Sequence, residues 1–180
     1  MKKLADLLTA SRALIAIFIV ALSLEGKGAL PLVILLIILG WTTDILDGRL
    51  AQRARSGASS DPSSSESTSW LGEHDFLLDM TMVFASLVYL TASGFIELQL
   101  ALGYTLIAAI FILWSSGSKS VTELFAFPVV ALPLIIAYQE APWAAYAYIV
   151  WIILALISCW ERFSGVVREF IAGMKQLRKI

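Results

Sequence analysis

Charged residues are missing from long stretches of this chain, and the uncharged stretches recur in blocks. Six apolar blocks stand out: Leu4–Leu24, Ala29–Thr43, Phe76–Ala92, Ile96–Ser115, Val121–Tyr138 and Trp143–Cys159. A bilayer-spanning helix needs about 20 residues. Several blocks reach that length only if a polar end is counted, so their helices should carry polar groups at membrane depth. The connections are short with one exception, which predicts antiparallel neighbours in one bundle. The expected fold class is therefore all-α: an integral membrane protein, multi-pass, with a six-transmembrane-helix bundle as a single domain over 1–180. The exception is Ser56–Ser69, a polar Ser-rich loop between the second and third spans that has too few apolar residues to bury.

Composition strengthens the membrane reading. The chain has 180 residues, of which 59% are hydrophobic, and its mean hydropathy is +0.83. A soluble domain is nearer 45–50% apolar, as a rough average. The basic start "MKK" and the following apolar block have the outline of a secretory signal, but "LEGKGALP" is a poor cleavage site, so the block reads as the first membrane helix. The net charge of −1 gives no bulk attraction to nucleic acid. The lone Cys159 excludes an internal disulfide.

Charge placement sets the expected orientation. Lys2, Lys3, Arg49, Arg53, Arg55, Lys119, Arg162, Arg168, Lys175, Arg178 and Lys179 fall on one side, and Lys27 on the other with Glu25, Glu97 and Glu140. Basic loops stay inside, which predicts cytoplasmic termini. The tail from Cys159 places Phe163, Val166, Val167, Phe170, Ile171 and Met174 at helical spacing among basic residues. It is expected to continue the last helix or to lie on the membrane surface.

The candidate chemistry sits where the second block ends. Asp44 and Asp47 are at i, i+3, and Asp75 and Asp79 at i, i+4. Each pair shares one helix face. At about 1.5 Å per residue, Asp44 lies about 22 Å from Ala29 and Asp79 about 20 Å from Ala92. On antiparallel spans the two pairs reach similar depth, just inside the cytoplasmic boundary. Four carboxylates this close resist ionisation without a counter-charge. Divalent cations with a preference for oxygen ligands, Mg²⁺, Mn²⁺ or Ca²⁺, relieve that repulsion. Two such ions can clamp a diphosphate during an in-line displacement. The plainer reading makes each pair a solvated helix end beside Arg49, Arg53 or Arg55.

These residues resemble the CDP-alcohol phosphatidyltransferase family, whose signature is D-x2-D-G-x2-A-R-x8-G-x3-D-x3-D. Asp44, Asp47, Gly48 and Ala51 match its first half, and Asp75 and Asp79 its last D-x3-D. "LLTASR" carries Thr9 and Arg12 where relatives often show Thr and Arg. Three positions depart: Gln52 stands where the family has Arg, with Arg53 one place later; the interval to Gly72 is longer; and Leu71 stands where the Gly would be. The resemblance implies a two-metal enzyme using Mg²⁺ or Mn²⁺, with Asp44, Asp47, Asp75 and Asp79 as ligands and Asp79 also as general base. A phosphatidyl group would pass from CDP-diacylglycerol to an alcohol, with release of CMP. Gly48, Ala51 and Arg53 would contact the nucleotide. Relatives also suggest a homodimer with its site facing the cytoplasm.

The remaining polar residues add less. Lys119 and Thr122 resemble a G-K-x-x-T stretch of some relatives, in which the Lys would hold an anionic acceptor such as glycerol 3-phosphate; the alternative is a snorkelling lysine. Arg12 either anchors the first helix or serves a substrate phosphate. His74 reads as an interfacial residue, and Glu123 as a partner either for Lys119 or for residues beside the Ser-rich insertion. Trp41, Trp70, Trp114, Trp143 and Trp160 flank spans as an aromatic belt does. Two other functions fit the same residues: a degenerate, non-catalytic relative, or an ion or proton transporter. A transporter would spread its acids across the bilayer, whereas these cluster on one side.

Overall fold

The computed structural model describes the backbone of residues 2–57 and 75–177, and the side chains of 11–46, 76–161 and 163–173. It contains α1 (Lys2–Ala21), a 3-10 segment (Leu22–Ala29), α2 (Leu30–Gly57), α3 (Asp75–Ala92), α4 (Leu98–Trp114), α5 (Lys119–Glu140), α6 (Pro142–Ser158) and α7 (Trp160–Leu177). There is no strand among the described residues. The Ser-rich loop beyond Gly57 falls outside them, as do Trp70, Gly72 and His74.

Gly26 bends the path between α1 and α2. Its φ of 69° and ψ of −149° lie in a region open essentially to glycine alone. The chain folds back there, and α1 and α2 pack side by side. The bend is pinned from α3, where the buried Tyr89 hydroxyl donates to the Gly26 carbonyl at 3.0 Å. Beside it, Lys27 sits 5.1 Å from the Phe95 ring centroid. At the other end Lys119 lies 5.7 Å from the Phe76 ring. The bundle therefore has one end holding Gly26, Lys27 and Phe95, and another holding the starts of α3 and α5.

The core follows helical stripes. Ile15, Ala16 and Ile19 of α1 meet Leu30, Val33, Ile34 and Ile37 of α2 and Met82, Ala85, Tyr89 and Leu90 of α3. Ala137, Ala141, Ala144 and Ala145 bring the α5–α6 corner in closely, as small residues do between membrane helices. Trp151 of α6 donates its indole N–H to the Thr42 hydroxyl of α2 at 2.9 Å. Proline is accommodated inside α5 at Pro128 and Pro133. Pro128 has no N–H for the Leu124 carbonyl, and next to that gap the Tyr104 hydroxyl of α4 donates to the Phe125 carbonyl at 2.7 Å.

The outward faces are as apolar as the core. Leu14, Ile17 and Phe18 of α1 are exposed, and on α4 Leu113 and Trp114 reach 78% and 81% exposure. A helix apolar all round belongs in a core or in lipid, and these faces have no protein over them. Two helical runs are long and apolar enough to cross a bilayer: Ser11–Leu46, which contains the Gly26 bend, and Lys119–Glu140. Counting α6 with residues 163–173 as one broken span makes three. Of the other apolar helices, α3 covers its expected block, while α4 is shorter than the block Ile96–Ser115. The 17 residues of α4 reach about 26 Å at about 1.5 Å each, against a hydrocarbon core of about 30 Å.

Two boundaries differ from the apolar blocks. The second helix does not stop at Thr43 but continues to Gly57, so Asp44 and Asp47 are helical residues rather than a frayed end. The tail does not continue α6. Its stretch Phe163–Gly173 turns by 87° from α6 and packs against α5. A Cβ added at Gly173 would lie 2.0 Å from the Ser120 hydroxyl oxygen and 3.0 Å from its Cβ, so a larger residue there requires Ser120 to shift.

Candidate functional site

The site is built where the core stripes of three helices run on into polar residues. On α1, Arg12 precedes Ile15, Ala16 and Ile19 at i+3, i+4 and i+7, on the face that packs inward. On α2, Asp44 continues the line of Ile37, Gly40 and Trp41. On α3, Asp79 begins the line of Met82, Val83 and Ser86. Each polar side chain therefore points to the same interior position.

There the guanidinium of Arg12 meets both acids. Its Nη1 lies 3.4 Å from Asp44 Oδ1, and the same nitrogen forms a close ion pair with Asp79 Oδ1. Arg12 is fully buried, while the Asp44 and Asp79 side chains retain 16% and 22% of their exposure. The guanidinium makes up for its lost hydration with charged partners, as a buried cation must. Among the described residues, one guanidinium thus faces two carboxylates.

The two acids open into a groove of about 470 Å³. Trp41, Trp151, Ile152 and Leu156 supply an apolar wall, and Phe163 and Val166 of α7 reach in from its edge. Lys119 and Glu123 also line it. They pair at 3.8 Å along α5, with the Lys119 side chain 59% exposed, so this is a weak surface ion pair that leaves the ammonium accessible. A second, mostly apolar cleft of about 590 Å³ continues between α5 and α7 and shares Trp41, Glu123, Phe163 and Val166 with the groove.

Of the sequence candidates, the structure brings together Asp44, Asp79 and Lys119. Asp47, Gly48, Ala51 and Arg53 lie on α2, and Asp75 opens α3; their side chains lie outside the described residues. Glu123 pairs with Lys119, one of the two partners the sequence left open. Arg12 is the member that sequence reasoning underweighted. The signal was its place on the Ile15, Ala16 and Ile19 stripe, which requires an inward-facing charge. Trp114, Trp143 and Trp160 are exposed at helix ends, whereas Trp41 lines the groove.

Among the described residues no three His, Cys, Asp or Glu side chains converge as a metal cluster. The donors present nonetheless suit a hard cation. Two carboxylate oxygens from different helices already share one positively charged nitrogen, and oxygen donors of this kind select Mg²⁺, Mn²⁺ or Ca²⁺. Comparisons with protein-family models, with curated proteins and with solved structures give no match to this chain.

Proposed function

We propose that the protein is a metal-dependent phosphotransferase of the membrane, moving a phosphatidyl group from a CDP-linked lipid such as CDP-diacylglycerol to a small alcohol with release of CMP. The observation that carries the reading is the convergence of Asp44 and Asp79 on one cationic position, in a groove that joins acids, an accessible ammonium and apolar walls. A substrate with a charged diphosphate and acyl chains needs all three. We read the fold as six spans with both termini and this groove on the cytoplasmic side. The separation of Lys27 from the end that bears Lys119 supports that sidedness.

In this reading Asp44, Asp47, Asp75 and Asp79 hold two divalent cations. Those ions, Mg²⁺ or Mn²⁺, supply neutralisation of the diphosphate and of the charge that develops on it. Asp79 accepts the proton of the acceptor hydroxyl. The freed oxygen attacks the lipid-side phosphorus, the bond from that phosphorus to the bridging oxygen breaks, and the bridging oxygen leaves with CMP. Lys119 holds an anionic acceptor, of which glycerol 3-phosphate is the expected member. Gly48, Ala51 and Arg53 form the α2 surface for the nucleotide, and α7 lies along the membrane surface. The chain works as a homodimer.

A transport function draws less support. A proton or ion relay needs ionisable groups along its path, and the buried polar side chains among the described residues are Arg12, Ser86, Ser93 and Ser120, with no acid among them. The test supplies purified protein with labelled CDP-diacylglycerol, Mn²⁺ or Mg²⁺, and a panel of alcohols. CMP release that needs both cation and acceptor, fastest with glycerol 3-phosphate, is expected. A folded preparation that releases no CMP with any acceptor refutes the transferase.

A further inference from the structure

We infer that Arg12 is the internal counter-cation of this site: it holds Asp44 and Asp79 together when no metal is present, and it opposes divalent binding at the same oxygens. The two carboxylates come from different helices, and both face one guanidinium nitrogen. Without that charge, two acids with most of their surface buried would repel across the α2–α3 contact. A guanidinium does not titrate in the accessible range, so this counter-charge is permanent, unlike a bound ion. A divalent cation approaching Asp44 and Asp79 must therefore share these oxygens with Arg12 or displace it. Displacement would free a full positive charge beside any bound phosphate. Arg12 is thus a positioning residue whose partner differs between the empty and loaded site.

The metal half of this inference rests on the transferase reading, and the charge half does not. Both are tested on purified full-length protein, with Mn²⁺ alone as the probe and its binding followed by electron paramagnetic resonance. Arg12→Met is expected to bind Mn²⁺ at least about tenfold more tightly than wild type, because a full charge within a few ångströms is removed. Arg12→Lys, which keeps the charge, should stay close to wild type. A merely structural arginine would leave the affinity unchanged or weaken it, and that result overturns the inference. Thermal unfolding without metal gives the second readout. Arg12→Met should melt well below wild type, and Arg12→Met combined with Asp79→Asn, which removes one of the two carboxylates that Arg12 faces, should recover most of the loss. A double variant no more stable than the single one overturns the counter-charge role, as does a single variant that melts like wild type. If no protein in the set binds Mn²⁺, the metal reading of the previous section fails, and the thermal pair alone decides the role of Arg12.

Discussion

The helix spacing beneath the acids depends on Gly40. A Cβ added there would lie 2.3 Å from Met82 Cε and 2.7 Å from its Sδ, with Ile15 Cδ1 at 3.9 Å. Carbon atoms in contact sit about 3.5–4.0 Å apart, so the thioether must retreat by more than an ångström. Met82 is only 2% exposed and has little room to swing into. In Gly40→Ala the flexible Met82 tail absorbs part of the strain, and the gain in helix propensity of up to about 1 kcal/mol offsets much of the rest. Gly40→Val adds two methyl groups to the same gap and forces α2 from α3. Overpacking of this kind costs about 1–3 kcal/mol. Gly40 is one helical turn from Asp44, and Met82 is three residues from Asp79, so the widening reaches the acids. A misplacement near 1 Å can cost about 100-fold in rate. The assays are thermal unfolding in detergent micelles and CMP release. Gly103→Val is the control, because nothing lies within 4 Å of the Cβ it would add. Adding Met82→Ala to Gly40→Val should return part of the stability, since the two residues contact each other. A Gly40→Val protein with wild-type melting and turnover would show that the α2–α3 contact does not set the site.

Three further predictions concern separate parts of the fold. Tyr89→Phe removes the hydroxyl that donates to the Gly26 carbonyl and should lower stability by about 1 kcal/mol, with faster hydrogen exchange around residues 24–28; unchanged exchange there would mean that the bond does not pin the bend. Gly173→Val should lift α7 from Ser120, which a spin-label distance between the exposed positions 124 and 172 would report as an increase. Lys119→Gln should raise KM for a phosphorylated acceptor while barely changing KM for an uncharged alcohol, and equal effects on both acceptors would remove Lys119 from acceptor binding.

Much of the fold was legible because apolar periodicity and helical packing are the same fact seen twice. The stripe Leu30, Val33, Ile34 and Ile37 is buried as its spacing requires, and Asp44 lies on its continuation. Spacing, antiparallel spans and depth together predicted facing acids, and Asp44 and Asp79, one from each pair, meet at Arg12. The partner of those acids was harder to read. Arg12 lies 32 residues from Asp44 and 67 from Asp79, and no local pattern reports a pairing that the Gly26 bend creates. The length of α2 was also hidden. Polarity changes at Asp44, but the residues that follow are mostly good helix formers, so the backbone continues past the apolar block. The turn between α6 and α7 carries neither proline nor glycine. Cys159 takes φ −130° and ψ 30°, and the apolar face of the tail is met by α5 after the turn, a tertiary contact that sequence spacing does not encode.

In the proposed reaction Asp79 takes the acceptor proton beside a cation held in part by Asp44. The most direct measurement is CMP release from CDP-diacylglycerol in the presence of Mn²⁺ and acceptor, run side by side on wild type and on Asp79→Asn preparations shown to be folded. Wild type should release CMP, and the variant should lose about 100- to 10,000-fold in rate, the range for removing a positioned base, while part of its stabilisation by Mn²⁺ survives. Equal CMP release by the two proteins would contradict the account.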